Sequence, residues 1–246
     1  MKYSQLFGKT KLQAPHDSDS ANAKFLVQGG FVDQLAAGIY TYLPLGLRVL
    51  HKINHIVRDE LNKIGGQEIL MPALQPIDIW KTTGRDEILK DILFTTKGAG
   101  DKDFVLGSTH EEVVTPLVKR FVNSYKDLPL AVYQIQNKFR NEPRAKSGVL
   151  RGREFLMKDM YSFHTSEEDL DNYYEIVKEA YIKIYERMGL DAYVVQASGG
   201  AFTDKYSHEF QVLTPAGEDK ILIGRKSKVA FNSEVIKDGV TEFEGE

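Results

Sequence analysis

The chain has 246 residues, enough for one large domain or two small ones, in proportions ordinary for a folded protein. Its formal net charge of -3 excludes a global basic field, so any nucleic-acid contact must come from a local patch. It has no cysteine, which rules out disulfides, thiolate nucleophiles and cysteine-based zinc sites and suits a reducing compartment. Met1 to Pro15 is polar and lacks the apolar run of a signal peptide, and no stretch approaches the ~20 apolar residues of a membrane span. The expected setting is the cytoplasm, with no membrane partner.

In chain order, His16 to Ser20 reads as a helix entry and residues 21 to 36 as a mildly apolar helix. Gly38 to Gly46 is a turn-rich aromatic segment. Leu47, Leu50, Ile53, Val57, Leu61 and Ile64 recur at helical spacing until Gly65-Gly66, and Glu68 to Met71 is a strand stopped by Pro72. Residues 84 to 103 look like a charged surface excursion. Phe104-Val-Leu106 is a short strand leading through Thr109-His-Glu-Glu112 into a helix striped by Val114, Leu117, Val118 and Phe121. Residues 131 to 139 and 154 to 163 are strands. Thr165 to Glu168 fits a capping box, and the helix behind it runs to Gly189. Ala192 to Ala197, His208 to Leu213 and Lys220 to Ile223 are further strands. Clustered, hairpin-connected strands point to an α+β fold on an antiparallel sheet. There is no GxGxxG or GxxxxGK[ST] loop.

Three constellations carry chemistry. The first is the strand, basic loop and return strand from Lys138 to Asp159. Arg140 and Glu142 are expected on one face of the first strand, and Arg151, Phe155 and Asp159 on one face of the second. Arg144, Lys146, Arg151 and Arg153 make the loop basic, with Gly148 as a flexible hinge. Cations for phosphate, a ring for a base and a carboxylate to orient a polar group suit a nucleotide, but a solvated hairpin explains the residue types equally well. In the second, Thr109 caps a helix whose positive end favours Glu111 and Glu112; the other reading has Thr109 and Glu111 bind a substrate ammonium, and on residue types alone capping is favoured. The third holds Ser198-Gly199-Gly200-Ala201 and His208, where a turn and a structural histidine compete with ligand contacts. No histidine pair has metal-ligand spacing. Trp80 and the tyrosines of residues 170 to 185 read as packing.

Arg140-x-Glu142, loop, Arg151-xxx-Phe155-xxx-Asp159 resembles the second motif of class II aminoacyl-tRNA synthetases, and Gly66 to Pro72 with its preceding helix resembles the first. More narrowly, Leu43-Pro-Leu-Gly-Leu-Arg48, Glu68-Ile-Leu-Met-Pro-Ala73, Thr109-His-Glu-Glu112, Tyr133-Gln-Ile-Gln136, Arg151-Gly-Arg-Glu-Phe155, Met157-Lys-Asp159 and Ser207-His-Glu-Phe210 resemble the bacterial-type prolyl-tRNA synthetase family. The likeness runs from Tyr3 to about Asn232.

The resemblance implies activation of proline by ATP to prolyl-adenylate and transfer to tRNA(Pro), with magnesium accompanying ATP. It implies a catalytic Arg140 contacting the α-phosphate and the substrate carboxylate. ATP would be bound by Arg140, Glu142, Arg151, Phe155 and Asp159, and proline by Thr109, Glu111, Arg140 and His208. It also implies a homodimer formed through residues 47 to 72. The family's Gly-rich third motif and its anticodon-binding domain are not found. Residues 1 to 228 are therefore expected to be a catalytic domain incomplete at its C-terminus. Residues 229 to 246 are expected to begin an inserted editing domain or tail. A non-catalytic, synthetase-like paralogue that binds or regulates is the competing reading. Asn141 stands where the family has Asp, Ala145-Lys146 where it has Pro-Arg, and Ser108 where proline is common, a change expected to loosen the Thr109 loop.

Overall fold

The computed structural model describes residues 2–13, 20–145, 147–199, 206–215, 217, 219–224 and 229–235. The chain divides into two compact units, Met1–Glu175 and Ile176–Glu246.

In the first unit, α1 (Ala21–Gln28) starts where the Ser20 hydroxyl accepts the Ala23 N–H at 3.2 Å. It stops at Gly29-Gly30, and the chain then forms β1 (Val32–Ala36), paired antiparallel with β2 (Ile39–Tyr42). The single helix expected over 21 to 36 is therefore a helix and a strand. The two glycines end it, with Gly30 at φ +69°. α2 (Pro44–Lys63) begins earlier than its apolar stripe, because Pro44 occupies its first turn with φ already set. A Cβ at Gly46 would collide with the Phe31 carbonyl, so the Leu43-Pro-Leu-Gly46 phrase is a close-packed helix entry.

β3 (Gln67–Glu68) runs parallel to β7 and is tied to α2 by a forked ion pair from Arg58 to Glu68, 2.8 to 3.0 Å. The 84 to 103 region is more ordered than its charge suggests. β4 (Leu74–Pro76) leads into α3 (Ile77–Thr83) and α4 (Arg85–Ile88). β5 (Phe94–Lys97) and β6 (Asp103–Leu106) then close a three-stranded sheet with β4. Trp80, Leu93 and Val105 fill a core beneath it. Trp80 is packing, as read, and its indole N–H donates to Gln75 Oε1 at 2.9 Å.

α5 (Glu111–Phe121) lies against β7 (Leu130–Phe139) and β8 (Glu154–Phe163), burying Val114 and Val118 with Met71 and Val132. β7 and β8 pair antiparallel from Leu130↔Phe163 to Phe139↔Glu154. That register puts Gln134, Gln136 and Lys138 on the same face as Asp159, Met157 and Phe155. α6 (Glu167–Arg187) is capped by Ser166, whose hydroxyl accepts the Asp169 N–H at 3.2 Å. The cap is thus one residue later than the expected Thr165, and the Asp169 carboxylate engages His164 at 2.7 Å rather than completing a box.

The second unit holds β9 (Ala192–Ser198), β10 (Tyr206–Val212), β11 (Ile221–Ile223) and β12 (Ala230–Asn232), in the order β10-β9-β12-β11. Tyr181 and Tyr185 pack on Phe210, with ring centroids 5.2 and 5.9 Å away. Ala230–Asn232 are built into this sheet and Ser233–Val235 follow as a 3-10 turn; residues 236–246 lie outside the described ones. No helix among the described residues is long and apolar enough to cross a membrane.

Candidate functional site

The loop between β6 and α5 is held on both flanks. Gly107 N–H donates to Ala73 O at 2.8 Å, Phe139 N–H to Gly107 O at 3.1 Å, and Gln75 Nε2 to Thr109 O at 3.2 Å. Ser108 is buried in this frame. The Thr109 hydroxyl donates to Glu111 Oε2. Thr109 does not cap α5: the N-cap position is His110, whose side chain makes no capping bond. The capping reading fails for Thr109, while Glu111 and Glu112 do stand in the first turn of α5 as that reading has them.

Beneath the Thr109–Glu111 pair is a buried polar network. His110 Nε2 lies 3.1 Å from Pro72 O, and its Nδ1 lies 2.5 Å from Lys138 Nζ. A carbonyl accepts and an ammonium donates, so His110 is neutral with its proton on Nε2. Burial and the Lys138 charge both push its pKa down, in agreement. Lys138 Nζ also meets Asp159 Oδ1 at 2.8 Å, while Asp159 Oδ2 accepts from Gln134 Nε2 at 2.9 Å and from Tyr161 OH at 2.7 Å. Burial drives the Tyr161 hydroxyl pKa up, and the Glu111 and Asp159 charges add to it. Tyr161 therefore stays a donor at every working pH. Burial lowers the Lys138 pKa while Asp159 holds it up.

Asp159 is thus spoken for by framework partners. The even four-residue spacing from Arg151 does not give a common strand face, because β8 begins only at Glu154. Likewise β7 ends at Phe139, so Arg140 and Glu142 stand just past the strand rather than on it. Pairing continues for one step, with Arg140 N–H donating to Arg153 O at 2.9 Å. The Arg140 guanidinium lies over the Phe155 ring, 5.5 Å from its centroid. Burial lowers its pKa, and Glu142 and Glu111 counter that, so an always-charged cation sits partly desolvated between two acids.

Arg151 Nε donates to Glu142 Oε2 at 3.0 Å, and Arg153 Nε to Glu142 O at 3.1 Å. Arg153 also reaches Ala37 O at 3.1 Å, anchoring the basic loop to the β1–β2 turn. Gly148 is not an open hinge. It is buried at φ +64°, and a Cβ there would strike Asn22 and the Ala23 backbone. Lys146 lies outside the described residues, as do Gly200 and Ala201 of the glycine patch.

The structure therefore gathers Thr109 and Glu111 through one network with Asp159, and Arg140 with Phe155, Glu142 and Arg151. His208 is exposed on β10 in the second unit, opposite Gln196. Residue-type reasoning gave no role to Lys138, His110, Gln134 or Tyr161. The signal was present: Gln134, Gln136 and Lys138 occupy alternate positions of a strand whose same face carries buried Val132. Three polar residues on a core-facing stripe demand buried partners.

The family model described as the tRNA synthetase class II core domain (G, H, P, S and T) matches residues 94–233. The chain is 47% identical over 234 residues to a proline–tRNA ligase of Dehalococcoides mccartyi, covering 95% of the chain and 41% of that protein. It is 50% identical over 226 residues to one of Thermotoga neapolitana, covering 92% and 39%. The chain thus spans about two fifths of the length of these curated relatives. Among solved structures, Giardia lamblia prolyl-tRNA synthetase in complex with prolyl-adenylate superposes with a TM-score of 0.69 at 22% identity, covering 75% of this chain and 39% of that one. The Cryptosporidium parvum enzyme with L-proline and AMP gives 0.65 at 17%, covering 74% and 37%. These two likenesses carry the fold. The family match over residues 94–233 spans more than half of the chain and includes the β7–β8 strands of the candidate site, and the chain belongs to the class II aminoacyl-tRNA synthetases.

Proposed function

We propose that this chain carries the amino-acid and nucleotide sites of a proline–tRNA ligase. The observation that carries the reading is the pairing of Thr109 and Glu111 on one side with Arg140 over Phe155 on the other, all tied to the β7–β8 sheet. The relatives that match nearly the whole chain at 47–50% identity bear the name proline–tRNA ligase, which supports proline as the amino acid.

Glu111 accepts the N–H of proline's secondary ammonium, a charge-assisted bond. Arg140 binds the substrate carboxylate and the α-phosphate. A carboxylate oxygen of proline attacks the α-phosphorus, the bond to pyrophosphate breaks, and prolyl-adenylate forms. Arg140 neutralises charge growing on the phosphoryl oxygens, so positioning and electrostatics supply the catalysis without a protein nucleophile. Phe155 stacks on adenine, Glu142 orients the nucleotide, and Arg151 meets the outer phosphates. A terminal ribose hydroxyl of tRNA(Pro) then attacks the prolyl carbonyl carbon and AMP leaves. Asp159 acts here through Lys138 and Tyr161 as a positioning group, and a proline contact by His208 is what the family resemblance implies.

Magnesium would accompany ATP and supply counter-charge to its phosphates. The described residues hold no group of three His, Asp or Glu that would bind a metal, so no step is assigned to it. The same reading gives a cytoplasmic homodimer through residues 47 to 72, with a catalytic part that runs on through β12 rather than ending at 228, and an insertion or tail after it. Arg140→Ala in the full-length gene product is expected to abolish proline-dependent ATP–pyrophosphate exchange. An unchanged rate removes Arg140 from its role and overturns this mechanism.

A further inference from the structure

Behind Glu111 is a cavity of about 460 Å³, lined by Ile79, Thr83, Arg85, Thr115 and Pro116 together with Glu111 and Glu112. Its chemistry is unbalanced. The Glu112 side chain is 1% exposed, and Arg85 Nη1 meets its Oε1 at 2.9 Å, while the Thr83 hydroxyl, whose one proton has Trp80 O at 3.0 Å as a second acceptor, lies 3.2 Å from the same oxygen. Glu112 Oε2 is buried without a hydrogen-bond partner among the described residues. The same Arg85 Nη1 also reaches Glu111 Oε2 at 3.5 Å, the oxygen that already accepts the Thr109 hydroxyl. Glu111 Oε1 accepts no hydrogen bond from a described residue.

We infer that Arg85 is a positioning residue for Glu111. Held by the buried Glu112, it pins one carboxylate oxygen so that the other is left for the substrate ammonium. This rests on the reading that Glu111 binds the proline amine.

Two facts carry the inference. First, Arg85 makes a buried contact and a site contact with one nitrogen, so fixing one carboxylate fixes the other. A side chain serving only to neutralise Glu112 has no need to touch Glu111. Second, Arg85 is the cation hydrogen-bonded to both carboxylates among the described residues, while Lys138 and Arg140 act on Glu111 through space. A protonated amine supplies Glu111 Oε1 with a charge-assisted hydrogen bond that a neutral or anionic ligand does not, so the arrangement favours a protonated amine.

The test is steady-state ATP–pyrophosphate exchange by the full-length gene product, with thermal unfolding run in parallel. Arg85→Met is expected to raise the KM for proline by roughly tenfold, the size of losing one charge-assisted contact, and to leave the KM for ATP within about twofold. Arg85→Lys should recover part of the proline KM. Arg85→Met also strands a buried Glu112, so the double variant Arg85→Met/Glu112→Leu separates the roles. Replacing the pair with apolar groups should restore the unfolding midpoint while proline KM stays high. If the double variant regains proline KM together with the midpoint, or if Arg85→Met raises both KM values alike, Arg85 is only structural and the inference is overturned. If the wild type shows no proline-dependent exchange, the proposed function itself has failed, which is a different result from a wild type that is active and insensitive at Arg85.

Discussion

Lys138→Met tests the frame beneath the site. The side chain is fully buried, its ammonium 2.8 Å from Asp159 Oδ1 and 2.5 Å from His110 Nδ1. Methionine matches the length of the stem but not the charge. Asp159 would keep its bonds from Gln134 and Tyr161 and lose its only close cation among the described residues. Stranding one member of a buried ion pair costs about 3–5 kcal/mol. In a unit of this size each kcal/mol lowers the unfolding midpoint by roughly 2–4 °C, so the expected drop is roughly 6–20 °C. Lys138→Met/Asp159→Leu removes the pair together and should recover most of that loss. Circular dichroism during heating reads the midpoints, with signal from each unit followed separately. A Lys138→Met midpoint within about 2 °C of wild type would refute the ion pair as the organising element of the frame.

His110 gives a pH test. Burial and Lys138 hold its folded pKa below the reference 6.5. The unfolded chain therefore takes up a proton that the folded one refuses. That share of stability is complete above about pH 6.5 and is lost as pH falls through the folded value. His110→Gln should flatten the acid limb of a midpoint-against-pH curve, and an unchanged slope counts against the neutral assignment. Phe155→Ala should raise the KM for ATP by roughly tenfold, toward the low end for a base–aromatic stack, with proline KM little changed; equal effects on both would move Phe155 away from the nucleotide. Gly148→Ala should destabilise by about 1–3 kcal/mol, since the new methyl meets Asn22 and the Ala23 backbone at a left-handed φ. Urea unfolding with no change in midpoint would restore the flexible-hinge description.

Much of the fold was legible because apolar periodicity is a local signal. The stripe Val114, Leu117, Val118 announced α5. The alternation of residues 131 to 139 and 154 to 163 announced β7 and β8 to within a residue. Misreadings arose where local chemistry competes. β5 is Phe-Thr-Thr-Lys, three polar residues made into a strand only by its partner β6. β1 was hidden inside a helical reading because the breakers Gly29-Gly30 lie in a mildly apolar run.

The candidate site residues were legible only through their resemblance to a family motif, since their types alone fit a solvated hairpin and a helix cap as well. The partners that orient them were not. Arg85 is 26 positions from Glu111, and Lys138 is 28 from His110 and 21 from Asp159, so only the folded chain brings them together. Glu111 and Glu112 look equivalent in sequence. One side chain is 35% exposed beside Thr109 and the other is buried against Arg85, a difference set by which way the first turn of α5 faces.

The central claim, that this site takes proline and ATP, is tested most directly by ATP–pyrophosphate exchange with each amino acid in turn, using the full-length gene product. The account predicts exchange driven by proline well above every other amino acid and lost when Glu111 is changed to glutamine. Exchange driven equally by another amino acid, or none with proline, would contradict it.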